Sequence, residues 1–236
     1  MASRQIVLDT ETTGLNARLG DRVIEIGCIE LLSRSATDRN FHSYVDPQRD
    51  IDEGATSIHG LTREFLSDKP KFSEIAKQFV DYVQGAELII HNADFDVEFL
   101  DQELALAGFR KLSEYSSKII DTLALARELH PGKRNSLDAL CERYAVNNAH
   151  RTMHGALLDA RLLAEVYLAL TRGQDNLVME LDAPTEAAVA AARIDAKKLT
   201  VLRATDAELK AHEKILDAID QAARDKGGSL WRRLAG

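Results

Sequence analysis

Apolar positions early in the chain come in short blocks. Ile6-Val7-Leu8, entered from Gln5 and ending on Asp9, predicts a strand. Val23 to Leu31 alternates well enough for a second strand, and Phe41 to Val45 predicts a third. The period then lengthens. Phe72 to Val83 has helical spacing, Leu88-Ile89-Ile90 reads as a short buried strand, and Phe95 to Leu106 reads as a helix. Ile119-Ile120 predicts a last short strand, with Asp121 placed to cap a following helix. Ser136–Tyr144 and Ala156–Leu170 complete the helices. Three early strands joined by short links imply antiparallel pairing, and later strands alternate with helices. The predicted class is α/β with a mixed sheet flanked by helices.

This patterning stops near residue 172. All seven Phe and all five Tyr lie between Phe41 and Tyr167, and the one later aromatic is Trp231. From Gly173 onward the chain is rich in Ala, Asp, Glu and Lys, a composition that cannot readily pack a second core. Residues 1–172 are therefore expected to form one domain, and 173–236 a largely unstructured linker and tail. Of the 236 residues 45% are hydrophobic, enough for one sizeable core. The charge is 30 basic against 38 acidic, a net −8, and from Glu180 onward ten acids balance ten bases. The excess thus belongs to residues 1–179, which argues against holding nucleic acid or an anionic membrane by a basic surface. With only Cys28 and Cys141, a disulfide framework is excluded and a reducing cytoplasm is the expected setting. Neither a signal peptide nor a membrane-spanning run is expected.

Candidate chemistry lies in the acids. Alternation along a strand points Asp9 and Glu11 the same way at the end of the first strand, and two carboxylates so held repel unless a proton or a cation joins them. A solvated strand end would account for such a pair standing alone. His91-Asn92-Ala93-Asp94-Phe95-Asp96 follows a buried strand and opens a helix, where one polar residue serves as a cap but three exceed that need. Spacing leaves Asp94 and Asp96 both open as ligands. Asp159 sits in an otherwise apolar stretch, where a carboxylate is costly unless paired or metal-bound. His154 precedes it by five residues, ~140° away on a continuous helix, so the two can share a ligand only if His154 lies off the helix.

Asp9-x-Glu11, Asn92-x-x-Phe95-Asp96 and His154-x4-Asp159 resemble, in order, the three motifs of the DEDD exonucleases in their histidine subtype. Residues 4–14, 131–141, 151–160 and the closing Gly227-Gly228-Ser229-Leu230-Trp231-Arg232 resemble the epsilon-subunit family of bacterial DNA polymerase III. The resemblance covers essentially the whole chain. It implies a ribonuclease-H-like fold and 3′→5′ proofreading of new DNA. It also implies two divalent cations, Mg²⁺ or Mn²⁺, held by Asp9, Glu11, Asp96 and Asp159, with His154 as the base that deprotonates the attacking water. Such an ion pair serves phosphodiester hydrolysis, and an imidazole suits base work near neutral pH. Asp9, Glu11, Asp159, Thr12, Leu15, His59 and Asn92 are implied contacts of the DNA 3′ end, although a plain loop histidine would also account for His59. Asp121 and Asp138 read as helix-start residues, and Arg134 and Asn135 have no role beyond helix entry and packing.

An acidic body grips DNA weakly, so a tethering partner is expected. Gln174, Leu177 and Met179 weakly resemble a sliding-clamp peptide, with Met179 where an aromatic is usual; an ordinary linker accounts for them equally well. Trp231 is the expected anchor to the polymerase III catalytic subunit, with spaced apolar residues from Leu199 to Ala223 forming a helix on binding. Two alternatives stand beside this reading: a free-standing enzyme that trims RNA ends or degrades oligonucleotides, and an inactive polymerase-stabilising module. The long tail speaks against the first and the intact acid set against the second.

Overall fold

The apolar run at the N-terminus becomes β1 (Arg4–Thr12). The computed structural model describes residues 4–149, 153–172 and 204–222. β2 (Val23–Leu32) pairs antiparallel with β1 and with β3 (Ser35–Tyr44), while β4 (Glu87–Ile90) runs parallel to β1 and to β5 (Lys118–Asp121). The sheet order is β3-β2-β1-β4-β5, so the strand carrying Asp9 and Glu11 is central. β3 begins at Ser35 rather than at Phe41 as expected. Ser33 and Arg34, with φ of 49° and 65°, make a two-residue turn whose positive φ angles match the twist of the hairpin. The strand's first half is polar because it lies exposed at the sheet edge.

Single-residue alternation on β1 divides the interior into two cores. Ile6 and Leu8 join Ile26, Phe41 and the helices α3 (Phe72–Val83) and α4 (Ala93–Leu106) on one face. Val7 joins Ile29, Leu31 and Ile89 under α5 (Thr122–Leu129), α6 (Leu137–Tyr144) and α7 (Ala156–Leu170) on the other. Between β3 and α3 the chain forms two short helices that the sequence pattern did not announce. These are α1 (Glu53–His59) and α2 (Arg63–Leu66), the latter capped by Thr62.

The chain divides into two units, residues 1–181 and 182–236. In the second, α8 (Asp206–Ala222) covers much of the span read from sequence as a helix formed on binding. Thr205 and Glu208 close its first turn reciprocally, each backbone amide donating to the other's side chain at 2.7–3.3 Å. Leu209, Ile215 and Ile219 are exposed along it. No helix among the described residues is long and apolar enough to cross a membrane.

Candidate active site

β1 delivers two carboxylates to one face. Asp9 and Glu11 share the side of Val7, the side covered by α7. Across the sheet Asp9 pairs with Gly27 and Glu11 with Glu25. A Cβ at Gly27 would stand 2.2 Å from the Ala156 carbonyl carbon and the Leu157 amide nitrogen. Nothing larger than hydrogen fits there, so the first turn of α7 rests on the sheet backbone beside Asp9 and brings Asp159 down with it. Glu25 is engaged by His42, whose Nε2 lies 2.7 Å from its carboxylate.

Asp96 arrives from α4. Asn92 makes the turn out of β4 in the left-handed region, φ 64°, and its amide donates to Asp121 Oδ1 at 3.0 Å. The same oxygen accepts from the Leu123 amide at 2.8 Å, so one carboxylate both caps α5 and pins the turn that starts α4. Asp96 is 4% exposed and accepts on Oδ1 from the Thr10 amide at 3.1 Å and the Thr10 hydroxyl at 2.7 Å. Burial pushes its carboxyl up to about 7; the Thr10 hydrogen bonds oppose the rise, and the Asp121 charge adds to it.

α7 starts at Ala156, so His154 lies off the helix, as the spacing required, with Nδ1 3.5 Å from Asp159 Oδ2. Its backbone amide donates to the Ile58 carbonyl at 3.1 Å, and the Met153 methyl fills the space beside Gly60, only 2.6 Å from where a Cβ would stand. The end of α1 therefore seats the turn that carries the histidine. Ligand atoms of Glu11, His154 and Asp159 all lie within 4.8 Å of one another.

Asp9, Glu11, Asn92, Asp96, His154 and Asp159 line one open cavity of about 680 Å³. Asp94 does not; it borders a separate hollow with Arg18 and Glu98, so of the two candidates only Asp96 faces the other acids. Asp121 acts as a cap, and Asp138 stands on the cavity wall in the first turn of α6. An adjoining cavity of about 430 Å³ shares Thr10, Glu11 and Phe95 and adds Thr12, Leu15 and His59. Leu15 is 84% exposed there, while the Thr12 hydroxyl donates to the Gly14 carbonyl and shapes the turn. His59 is not a loop residue but the buried last residue of α1. The Leu61 amide donates to its Nδ1, which places the ring proton on Nε2, a nitrogen with no hydrogen-bond partner among the described residues. Burial pulls its pKa down. Gln174, Leu177, Met179 and Trp231 lie outside the described residues.

Four of the carboxylates lining this cavity, Asp9, Glu11, Asp96 and Asp159, three of them buried, are suited to hard divalent cations that take oxygen ligands and relieve their repulsion. Both cysteines are in the two cores instead. Sequence reasoning missed Thr10, Gly27 and the Asp121 tether. A glycine inside an alternating strand was the available signal for the second; the other two left none.

The family model described as Exonuclease matches residues 6–167. The DNA polymerase III subunit epsilon of Escherichia coli strain K12 is 49% identical over 242 residues, covering 98% of this chain and 98% of the relative. That of Pasteurella multocida strain Pm70 is 47% identical, covering 99% and 95%. Among solved structures, exonuclease X in complex with 5′ overhanging duplex DNA is similar with a TM-score of 0.58 at 24% identity, over 72% of this chain and 93% of that one. The zinc-bound complex of E. coli exonuclease I with single-stranded DNA is similar with a TM-score of 0.64 at 19% identity, over 75% and 42%. These structural likenesses concern the fold, and the mixed ribonuclease-H-like sheet expected from the sequence is the one present.

Proposed function

Because this chain belongs to the epsilon-subunit family of DNA polymerase III, we propose that it is the proofreading 3′→5′ exonuclease of a replicative polymerase, acting in the cytoplasm on newly made DNA. The observation that carries the reading is the convergence of Asp9, Glu11, Asp96, His154 and Asp159 on one cavity from three distant parts of the chain. Asp9, Glu11, Asp96 and Asp159 would hold the divalent cations, a pair of Mg²⁺ or Mn²⁺ ions. Bound there, such ions neutralise the phosphate, acidify a water and stabilise the leaving oxygen.

This chain's own residues then have separable tasks. Thr10 fixes the Asp96 carboxylate through two hydrogen bonds. His154, partly exposed on its turn, takes the proton of the attacking water. The water oxygen bonds to phosphorus and the bond to the 3′ oxygen of the penultimate nucleotide breaks. A nucleoside 5′-monophosphate leaves, and the shortened strand ends in a 3′-hydroxyl. The terminal base is taken by the adjoining cavity, where Leu15 offers an apolar wedge and the buried His59 Nε2–H offers a donor. Asn92 and Thr12 contribute at the two turns that flank these cavities. For the tail the reading rests on sequence and on what the relatives are named: Trp231 anchors to the catalytic subunit, and Gln174, Leu177 and Met179 touch the sliding clamp.

The test is digestion of a 3′-labelled mismatched primer–template with Mg²⁺, beside an RNA strand of equal length. The labelled nucleotide should be released as a monophosphate, faster from DNA than from RNA, and Asp159→Ala should abolish release while the fold survives. Equal activity in Asp159→Ala, or a preference for RNA, would overturn the reading.

A further inference from the structure

The wall of the main cavity that carries Asp138 also bears two cations, which take no part in the carboxylate centre. Arg127 of α5 and Lys133, in the loop between α5 and α6, are the two permanent cations in its lining, and neither forms an ion pair among the described residues. Both are exposed. In a domain whose acids outnumber its bases, cations left unpaired beside a group of carboxylates are available to an anion brought from outside.

The loop that presents Lys133 is rigid by construction. Asn135 is buried; its Oδ1 accepts from Arg143 at 3.0 Å and its Nδ2 donates to the His130 carbonyl at 3.4 Å. Arg143 also donates to the Arg134 carbonyl at 2.7 Å, and the Lys133 amide donates to the His130 carbonyl at 3.2 Å. His130 in turn sits 2.7 Å from the Tyr144 hydroxyl. Four side chains thus fix the backbone while the lysine itself points at no structural partner. That is the arrangement of a binding loop held ready, since a preordered cation loses less entropy when it meets its ligand.

We propose that Lys133 and Arg127 form an anion subsite for the phosphodiester on the 5′ side of the scissile one, so that the strand is gripped one step upstream of the bond being cut. The proposal rests on the exonuclease reading, because it takes the scissile phosphate to belong to the carboxylate centre, leaving the next phosphate for these two cations.

The experiment compares two substrates with the full chain. One is a single-stranded oligonucleotide; the other is the 5′-p-nitrophenyl ester of thymidine monophosphate, which has a scissile phosphodiester and no phosphate upstream. Lys133→Ala and Arg127→Ala should each lower kcat/KM on the oligonucleotide by about 10-fold, mainly through KM, as expected when a charged hydrogen bond is removed. The ester should be hydrolysed as before. The dependence of log kcat/KM on log salt should flatten by about 0.7 for each phosphate of a single strand that is no longer neutralised. Lys133→Arg should restore most of the rate. An unchanged salt slope in the double variant overturns the subsite, and so does an equal loss on both substrates. Failure of the unaltered protein to cleave either substrate removes the exonuclease reading itself.

Discussion

Replacing Asp96 by Asn tests whether the acid centre is strained until a cation arrives. The substitution keeps an oxygen where Oδ1 accepts from the Thr10 amide and hydroxyl, so both hydrogen bonds survive and only the ionisation is lost. In the metal-free parent, burial holds the Asp96 carboxyl at about 7, above the 3.8 it has when exposed. Between those values the folded protein keeps a proton that the unfolded chain has released, so stability falls as pH rises through this window. From pH 5 to pH 8 the loss is about 3 kcal/mol, and Asn at this position does not share it. The assay is urea unfolding followed by far-UV circular dichroism, with chelator present, for parent and variant at both pH values. Groups far from the site act on both proteins alike, while the neighbouring carboxylates lose the Asp96 charge in the variant and shift the difference in the same direction. The variant should gain about 3 kcal/mol on the parent between pH 5 and pH 8. Saturating Mg²⁺ should then restabilise the parent, by about 2.7 kcal/mol at a hundred times its dissociation constant, and leave the variant nearly unmoved. A difference constant across pH to within about 0.5 kcal/mol would refute the argument that burial, unrelieved by metal, sets the state of this acid.

Two further outcomes follow from the geometry and a third from the sequence of the tail. His154→Ala should slow hydrolysis by about 10²–10⁴-fold while calorimetric Mn²⁺ affinity stays nearly intact; an affinity loss matching that of Asp159→Ala would make the histidine a ligand. Gly27→Ala should destabilise the domain by about 3 kcal/mol or more and cost activity, since its methyl would displace the first turn of α7; a well-folded, fully active variant in thermal unfolding and primer digestion would show that turn to be movable. A fragment of residues 1–180 should cleave free single strands like the full chain yet fail to co-elute with the polymerase catalytic subunit, with Trp231→Ala showing part of that loss; co-elution of the fragment at nanomolar concentration would place the contact on the catalytic domain.

The elements with a strong period were legible. β1, β2, α3 and α7 lie where alternation or helical spacing placed them, because each buries a continuous apolar face. The first half of β3 was not, since Ser35 to Asn40 are exposed edge residues and the turn before them uses Ser33 and Arg34 in place of the Asn-Gly that marks such hairpins. α1 and α2 escaped because helices of seven and four residues hold too few turns to show a period. Within the site, the acids were visible as polar residues set in apolar surroundings. What the sequence concealed is support: the hydroxyl of Thr10, the shared cap of Asp121 and the seat that Ile58 gives to His154 are contacts between distant segments, and local spacing records nothing of them.

The order in which the chain brings its acids together also has a meaning in time. β1, β2 and β3 are neighbours in sequence and can pair as soon as they leave the ribosome, whereas β1 waits for a parallel partner, Glu87, 82 positions beyond Gln5. Closure over longer separations is slower, and the helix that rests on Gly27 is the last of its unit among the described residues. Until that helix docks, a nascent chain displays Asp9, Glu11 and Asp96 but has neither His154 nor Asp159 beside them. On the proposed assignment of the site, synthesis interrupted before residue 154 would yield a fragment with three of the acids and without the base. The proposed centre is thus completed only when the domain is.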